Sequence, residues 1–169
     1  MYPAMHRSKQ QLPADECKAI LDGATYGVLG TAGTDGCPYA VPLSFAYDGT
    51  PADGAPAGRL YAHCATVGHK LDALAENPRV SFTVVAQSEP VPEKLTDRFR
   101  SVIAFGRARH AEGDEAADVL RALGAKYAPG LDTMVAEEIE KTAHRTVALV
   151  IDIEHITGKE GLELLRERP

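Results

Sequence analysis

The stretch from Tyr39 to Tyr47 most limits what this chain can fold into: Tyr39, Val41, Leu43, Phe45 and Tyr47 alternate with Ala40, Pro42, Ser44 and Ala46. A period of two places the two sets on opposite faces of an extended strand, so the stretch belongs in a sheet with one face buried. Pro42 has no N–H to give to a ladder, which points to an edge or a bulge where another group can meet the backbone. Just upstream, YGVLGT (26–31) predicts a strand, and Thr34-Asp35-Gly36 predicts the hairpin turn between the two.

The same reading extends along the chain. A Gly/Pro/Ala-rich loop over 48–58 leads to a short strand over 59–64. RVSFTVVAQ (79–87) and RFRSVIAFGRARH (98–110) are strands separated by the proline-marked loop SEPVPEKL, and TVALVIDIEHI (146–156) is the last strand, followed by a Gly-containing turn and a charged helical tail. Helices are predicted after Pro13, with Cys17, Ile20, Leu21 and Ala24 on one face, and over 68–76, stopped by Asn77-Pro78. Two more cover 113–127, with Val119, Leu120, Leu123 and Tyr127 on one side, and 131–143, with Met134, Val135 and Ile139. About six strands, mostly joined as hairpins, predict a mainly β (α+β) antiparallel barrel rather than a doubly wound sheet. The 169 residues suit a single domain, 1–169, and the helical insert between Gly113 and Thr142 either shapes a pocket or caps the barrel.

A net charge of −6, spread along the chain, offers no footprint for nucleic acid or anionic lipid. Cys17, Cys37 and Cys64 are odd in number and far apart, fitting neither a disulfide framework nor paired zinc ligands. With no signal-like apolar core and no membrane-length apolar run, the expectation is a cytoplasmic protein with reduced thiols.

Chemistry concentrates where the 59–64 strand passes through Ala65-Thr66-Val67-Gly68 into a helix opened by His69-Lys70. Free amides at a helix start, next to two basic side chains, make a phosphate cradle. A solvated helix start is the bland alternative. Gly27, Gly30 and Gly33 lie in or after a strand and read as packing or bending positions rather than a dinucleotide fingerprint. No Walker A, nucleophile elbow or His-Glu-x-x-His is present, and no metal site is expected from His63 and His69.

These segments together resemble the pyridoxamine 5'-phosphate oxidase-like flavoprotein superfamily, and most closely its nitroimidazole-resistance (Nim-like) branch. The resemblance is carried by Tyr39-Ala40-Val41-Pro42-Leu43-Ser44, the His63–Lys70 segment with Asn77-Pro78-Arg79-Val80-Ser81-Phe82, Val91-Pro92-Glu93-Lys94, Arg100-Ser101-Val102-Ile103 with Gly106, and Ile151 to Lys159. It implies a six-stranded antiparallel split β-barrel with peripheral helices, forming a homodimer with FMN at the interface; haem or deazaflavin are the other cofactors to consider. By the same resemblance Tyr39, Ala40, Val41, Pro42, Leu43 and Ser44 lie along the flavin and ribityl, and His63 and Cys64 border the cofactor. Gly68, His69 and Lys70 hold the phosphate, and Ser101 approaches the FMN. His63 is the candidate catalytic residue, as proton donor or orienting group, the alternative being a cofactor hydrogen bond without catalysis.

The implied activity is a flavin-dependent reductase passing electrons from NAD(P)H to a small planar acceptor such as a nitroimidazole. Its rivals are a flavin- or haem-binding module without efficient turnover and a structural dimer that binds no cofactor. The chain departs from authentic pyridoxamine phosphate oxidases in having no tryptophan and in ending ELLRERP, and from many relatives in carrying His69 where they have arginine.

Overall fold

The computed structural model describes Tyr2, residues 4–33 and residues 35–168. Along it run α1 (Ala14–Gly23), β1 (Tyr26–Ala32), β2 (Pro38–Ser44), β3 (Ala46–Asp48), β4 (Arg59–Ala65), α2 (His69–Glu76), β5 (Arg79–Val91), β6 (Thr96–His110), α3 (Gly113–Tyr127), α4 (Asp132–Thr142), β7 (Thr146–Glu160) and α5 (Leu162–Glu167). All strand pairs are antiparallel, in the order β2-β1-β5-β6-β7-β4-β3. No helix among the described residues is long and apolar enough to cross a membrane.

The α+β class and the antiparallel sheet are as expected, but the sheet has seven strands rather than six, and its hydrogen-bond ladder is open. The difference comes from the alternating stretch itself. Its first part pairs with β1, its second with β4, and Phe45 between them belongs to neither ladder. Phe45 and Ala46 are both buried, Phe45 in the main core and Ala46 beneath α3. Two consecutive buried residues cannot lie on one face of a strand, so the stretch bends there. The two ends of the strand order are therefore neighbours in sequence. β2 is an edge strand, as Pro42 requires.

Three boundaries also differ. The predicted loop SEPVPEKL shrinks to a 3-10 turn at Pro92–Lys94 and Leu95, because β5 and β6 continue as a two-stranded ribbon. Beyond Val85, β5 pairs only with β6, so Pro90 has a free side on which to lack an N–H. The last strand runs on through the predicted turn to Glu160. Gly158 is there to let the N-terminal segment approach: a Cβ would stand 2.4 Å from Cys17 Sγ, and the Leu12 amide donates to its carbonyl at 2.9 Å. In the β1–β2 hairpin, Gly36 has φ +80 and donates its N–H to Gly33 O at 2.9 Å, while Thr34 lies outside the described residues.

Alternate positions of the long strands fill the main core: Leu29 of β1, Phe82 and Val84 of β5, Val102 and Ala104 of β6, and Leu149, Ile151 and Ile153 of β7. Helix α1 adds Cys17 and Leu21, and α2 adds Leu71 and Leu74. Phe45 meets Phe82 edge-on, with ring centroids 4.9 Å apart. Gly27 leaves room for the second ring, since a Cβ there would come within 2.1 Å of it. A smaller cluster, with Val119 and Leu123 of α3 on Ala46, Ala148 and Val150, seats the helical insert on the opposite face. Truncation of Phe82 to Ala leaves a cavity under the Phe45 bend and is expected to cost about 3–5 kcal/mol, read as a lower urea midpoint at unchanged slope.

Candidate functional site

β4 delivers most of the site. Leu60 and Ala62 point into the main core, Tyr61 on the opposite face packs on the α3 cluster while His63 is exposed, and pairing with β7 sets His63 opposite Ala148 and Cys64 opposite Val147. Beyond Ala65 the chain turns at Gly68, whose φ of +146 is disfavoured for residues with a Cβ, and enters α2. No side chain caps this helix. The Gly68 carbonyl accepts from Leu71 at 2.8 Å and Asp72 at 3.3 Å, so the amides of His69 and Lys70 have no intrahelical acceptor. The His69 ring lies edge-on to Tyr39, centroids 4.6 Å apart, which ties the start of β2 to the first turn of α2.

At the other end of β2, Ser44 joins His63 and Cys64 on one wall of a cleft of about 640 Å³. The opposite wall is the helical insert: Leu120, Leu123, Gly124 and Tyr127 from α3, and Val135, Glu138, Ile139 and Thr142 from α4, with Arg145 and Thr146 completing the lining. His63 is exposed and Cys64 half-buried. Burial pushes the Cys64 thiol above its ordinary pKa, opposed by the charge of Lys70, so it is a neutral thiol near pH 7. Among the described residues, no group of three or more His, Cys, Asp and Glu side chains is placed to hold a metal ion.

The expected site residues thus fall into groups. Ser44, His63 and Cys64 share the cleft, and Tyr39, His69, Lys70 and Gly68 gather at the start of α2. Val41 and Leu43 pack against the core, while Ala40 and Pro42 are exposed. Ser101 lines neither place. It pairs with Val85 of β5, which lines a separate hollow with Tyr26, the β1 partner of Ser44.

The insert residues were not singled out as site residues. Their helical periodicity was visible, but an apolar helix face does not say whether it covers a sheet or a space. Tyr127 carries a second role with no sequence signal. Its hydroxyl lies 2.9 Å from both the Phe45 amide, which donates to it, and the Phe45 carbonyl, and 2.5 Å from the Thr25 carbonyl. It therefore serves the backbone exactly where β2 and β3 part. Lys126 beside it donates to Ala24 O at 2.6 Å and stands 4.6 Å above the Phe45 ring; burial holds its pKa below the usual lysine value. At the other end of α3, Arg109 grips Glu115 through two bonds of 2.7 Å and Asp152 through one of 2.8 Å.

Two outcomes follow from this geometry. Tyr127→Phe removes the hydroxyl from a part-buried amide and is expected to cost about 1–3 kcal/mol, with faster hydrogen exchange at the Phe45 amide than at Leu149. Alkylation of the native protein with iodoacetamide, followed by mass spectrometry, is expected to label exposed Cys37 first and Cys64 more slowly. Cys17, buried and with its pKa pushed up to about 11, is labelled last.

Comparison with known proteins completes the description. No curated protein matches the chain. Among solved structures, a candidate 5-nitroimidazole antibiotic resistance protein from Bacteroides thetaiotaomicron shares the fold at 21% identity and a TM-score of 0.69, covering 89% of this chain and 86% of that one. A FAD-binding protein from Mesorhizobium loti is 28% identical, with a TM-score of 0.58 and coverage of 90% and 97%. A FAD and heme binding protein from Mycobacterium smegmatis is 25% identical, with a TM-score of 0.72 and coverage of 90% and 73%. The pattern of the pyridoxamine 5'-phosphate oxidase family matches residues 13–160, the whole sheet with α1 to α4, and the chain belongs to that family.

Proposed function

We propose that this protein binds a flavin nucleotide, FMN in the first instance, and acts as a flavin-dependent reductase of small planar acceptors such as nitroaromatics. The observation that carries the reading is the convergence of Ser44, His63 and Cys64 on one cleft, one turn of chain from a helix start with free amides and Lys70. Two amides, a lysine and an imidazole suit a terminal phosphate, so the donors present fit the group. The Mesorhizobium and Mycobacterium proteins, described as FAD-binding, support a flavin here, and the Bacteroides protein supports a nitro compound as acceptor.

When bound, the flavin supplies two-electron redox chemistry, accepting hydride from a nicotinamide and passing electrons to the acceptor. Lys70 and His69 hold the phosphate, Gly68 lets the backbone come close, and the β2 backbone over Tyr39–Ser44 runs along the cofactor. His63, exposed on the cleft wall, orients the acceptor or gives it a proton.

The working form is a homodimer. Tyr26 and Val85, each 63% exposed, and Val28 make an apolar outer sheet face that also carries Ser101. Pairing two copies through this face covers it and lets Ser101 of one protomer serve the cofactor strand of the other.

The test is an absorbance spectrum of the purified protein, then titration with FMN and with FAD. A flavin spectrum is expected, with Lys70→Ala, His69→Ala weakening affinity by about 10–100-fold. A Soret band in place of flavin maxima favours the haem-binding alternative, and a colourless protein that takes up neither flavin rejects the reading. With flavin retained, His63→Ala is expected to lower turnover of a nitroaromatic by about 100-fold; unchanged turnover leaves His63 a cofactor neighbour only.

A further inference from the structure

The two walls of the cleft differ in kind. The strand wall offers a hydroxyl, an imidazole and a thiol from Ser44, His63 and Cys64, whereas the helical wall is mostly apolar, with Leu120, Leu123 and Tyr127 from α3 and Val135 and Ile139 from α4 beside Glu138 and Thr142. Packing on the sheet accounts for α3, which buries Val119 and Leu123. It does not account for α4, which has no buried residue, yet turns Val135 and Ile139 toward the same space. Gly124 makes the wall continuous. A Cβ there would stand 2.3 Å from Val135 Cγ1, so the Val135 side chain of α4 packs directly on the Gly124 backbone of α3. The volume, about 640 Å³, lies within the range of small-molecule sites. The charged lining residues are one of each sign, Glu138 and Arg145, both exposed, and Glu138 is paired with Lys141 at 3.4 Å, so no charged group is buried in the cleft to fix an ion.

We propose that this cleft binds an uncharged ring compound bearing an apolar substituent, its polar end hydrogen-bonded by His63 and Ser44 and its substituent lying on the α3–α4 wall. That this compound is the electron acceptor rests on the reading above; that the cleft binds it does not. Helix α4 is then a specificity element, and Ile139 and Thr142 decide how well the substituent is received. The Thr142 hydroxyl already donates to the Glu138 carbonyl at 2.7 Å, so an apolar replacement removes only an exposed bond internal to the helix.

The experiment is calorimetric titration of the full chain, with and without added flavin, using 1-butyl-4-nitrobenzene and, as an anionic probe with a similar ring, 4-nitrobenzoate. The neutral compound is expected to bind at least about tenfold more tightly than the anion. Ile139→Glu is expected to weaken it by about tenfold or more at unchanged Tm, and Thr142→Val to tighten it severalfold. The proposal is overturned by no binding of the neutral compound, by preference for the anion, or by an Ile139→Glu protein that folds and binds as before. Should Ile139→Glu not fold, Thr142→Val decides, and unchanged or weaker binding there overturns it. Failure to take up flavin shows separately, in the absorbance spectrum, and removes the reductase reading while the calorimetry still reports on the cleft.

Discussion

The fold depends on one bend. A single extended stretch has to supply an edge strand to β1 and then an edge strand to β4, and it does so by turning Phe45 into the main core while Ala46 goes under α3. Leaving both ladders at Phe45 costs its backbone two regular hydrogen bonds, and a buried amide left unpaired is expensive. Tyr127 restores that pairing from outside the sheet, so the helical insert is part of what lets the sheet turn. The aromatic contact with Phe82 fixes the bend from within.

The same bend places the chemistry. Ser44 is the last residue of β2 before it, and so stands in the cleft wall where the end of β4 brings His63 and Cys64. The start of β2 meets α2 through Tyr39 and His69. One strand thus spans from the free amides of a helix start to the wall of a cleft, a form of support that suits the proposed flavin nucleotide, with its charged end and its flat end. The arrangement is achieved without buried charge in the cleft: its acidic and basic groups are exposed, and burial raises the pKa of the Cys64 thiol further above neutrality.

Much of this was legible in the sequence because the signals are local. Side-chain alternation gave the strands, the proline in β2 gave an edge, and Gly68-His69-Lys70 marked the helix start, since unpaired amides there follow from helix geometry alone. The bend at Phe45 was not legible: Phe45 continues the apolar alternation and Ala46 is small enough for either face, so only the two different partners reveal it. The prolines in SEPVPEKL misled because proline excludes a central strand but not a ribbon with a free side. The cleft was hidden for a different reason. Leu120, Leu123, Val135 and Ile139 gave correct helices, but whether an apolar face meets protein or open space depends on residues far away in sequence.

The insert occupies the connection between β6 and β7, two strands that already pair from Arg100 with Glu160 to His110 with Leu149. The ladder would need only a short turn there, so the helices are an elaboration that can be rewritten while every rung is kept. Grafting helices from a relative into this connection should therefore transplant ligand preference as a module. The graft must keep one phenol, because the sheet borrows it.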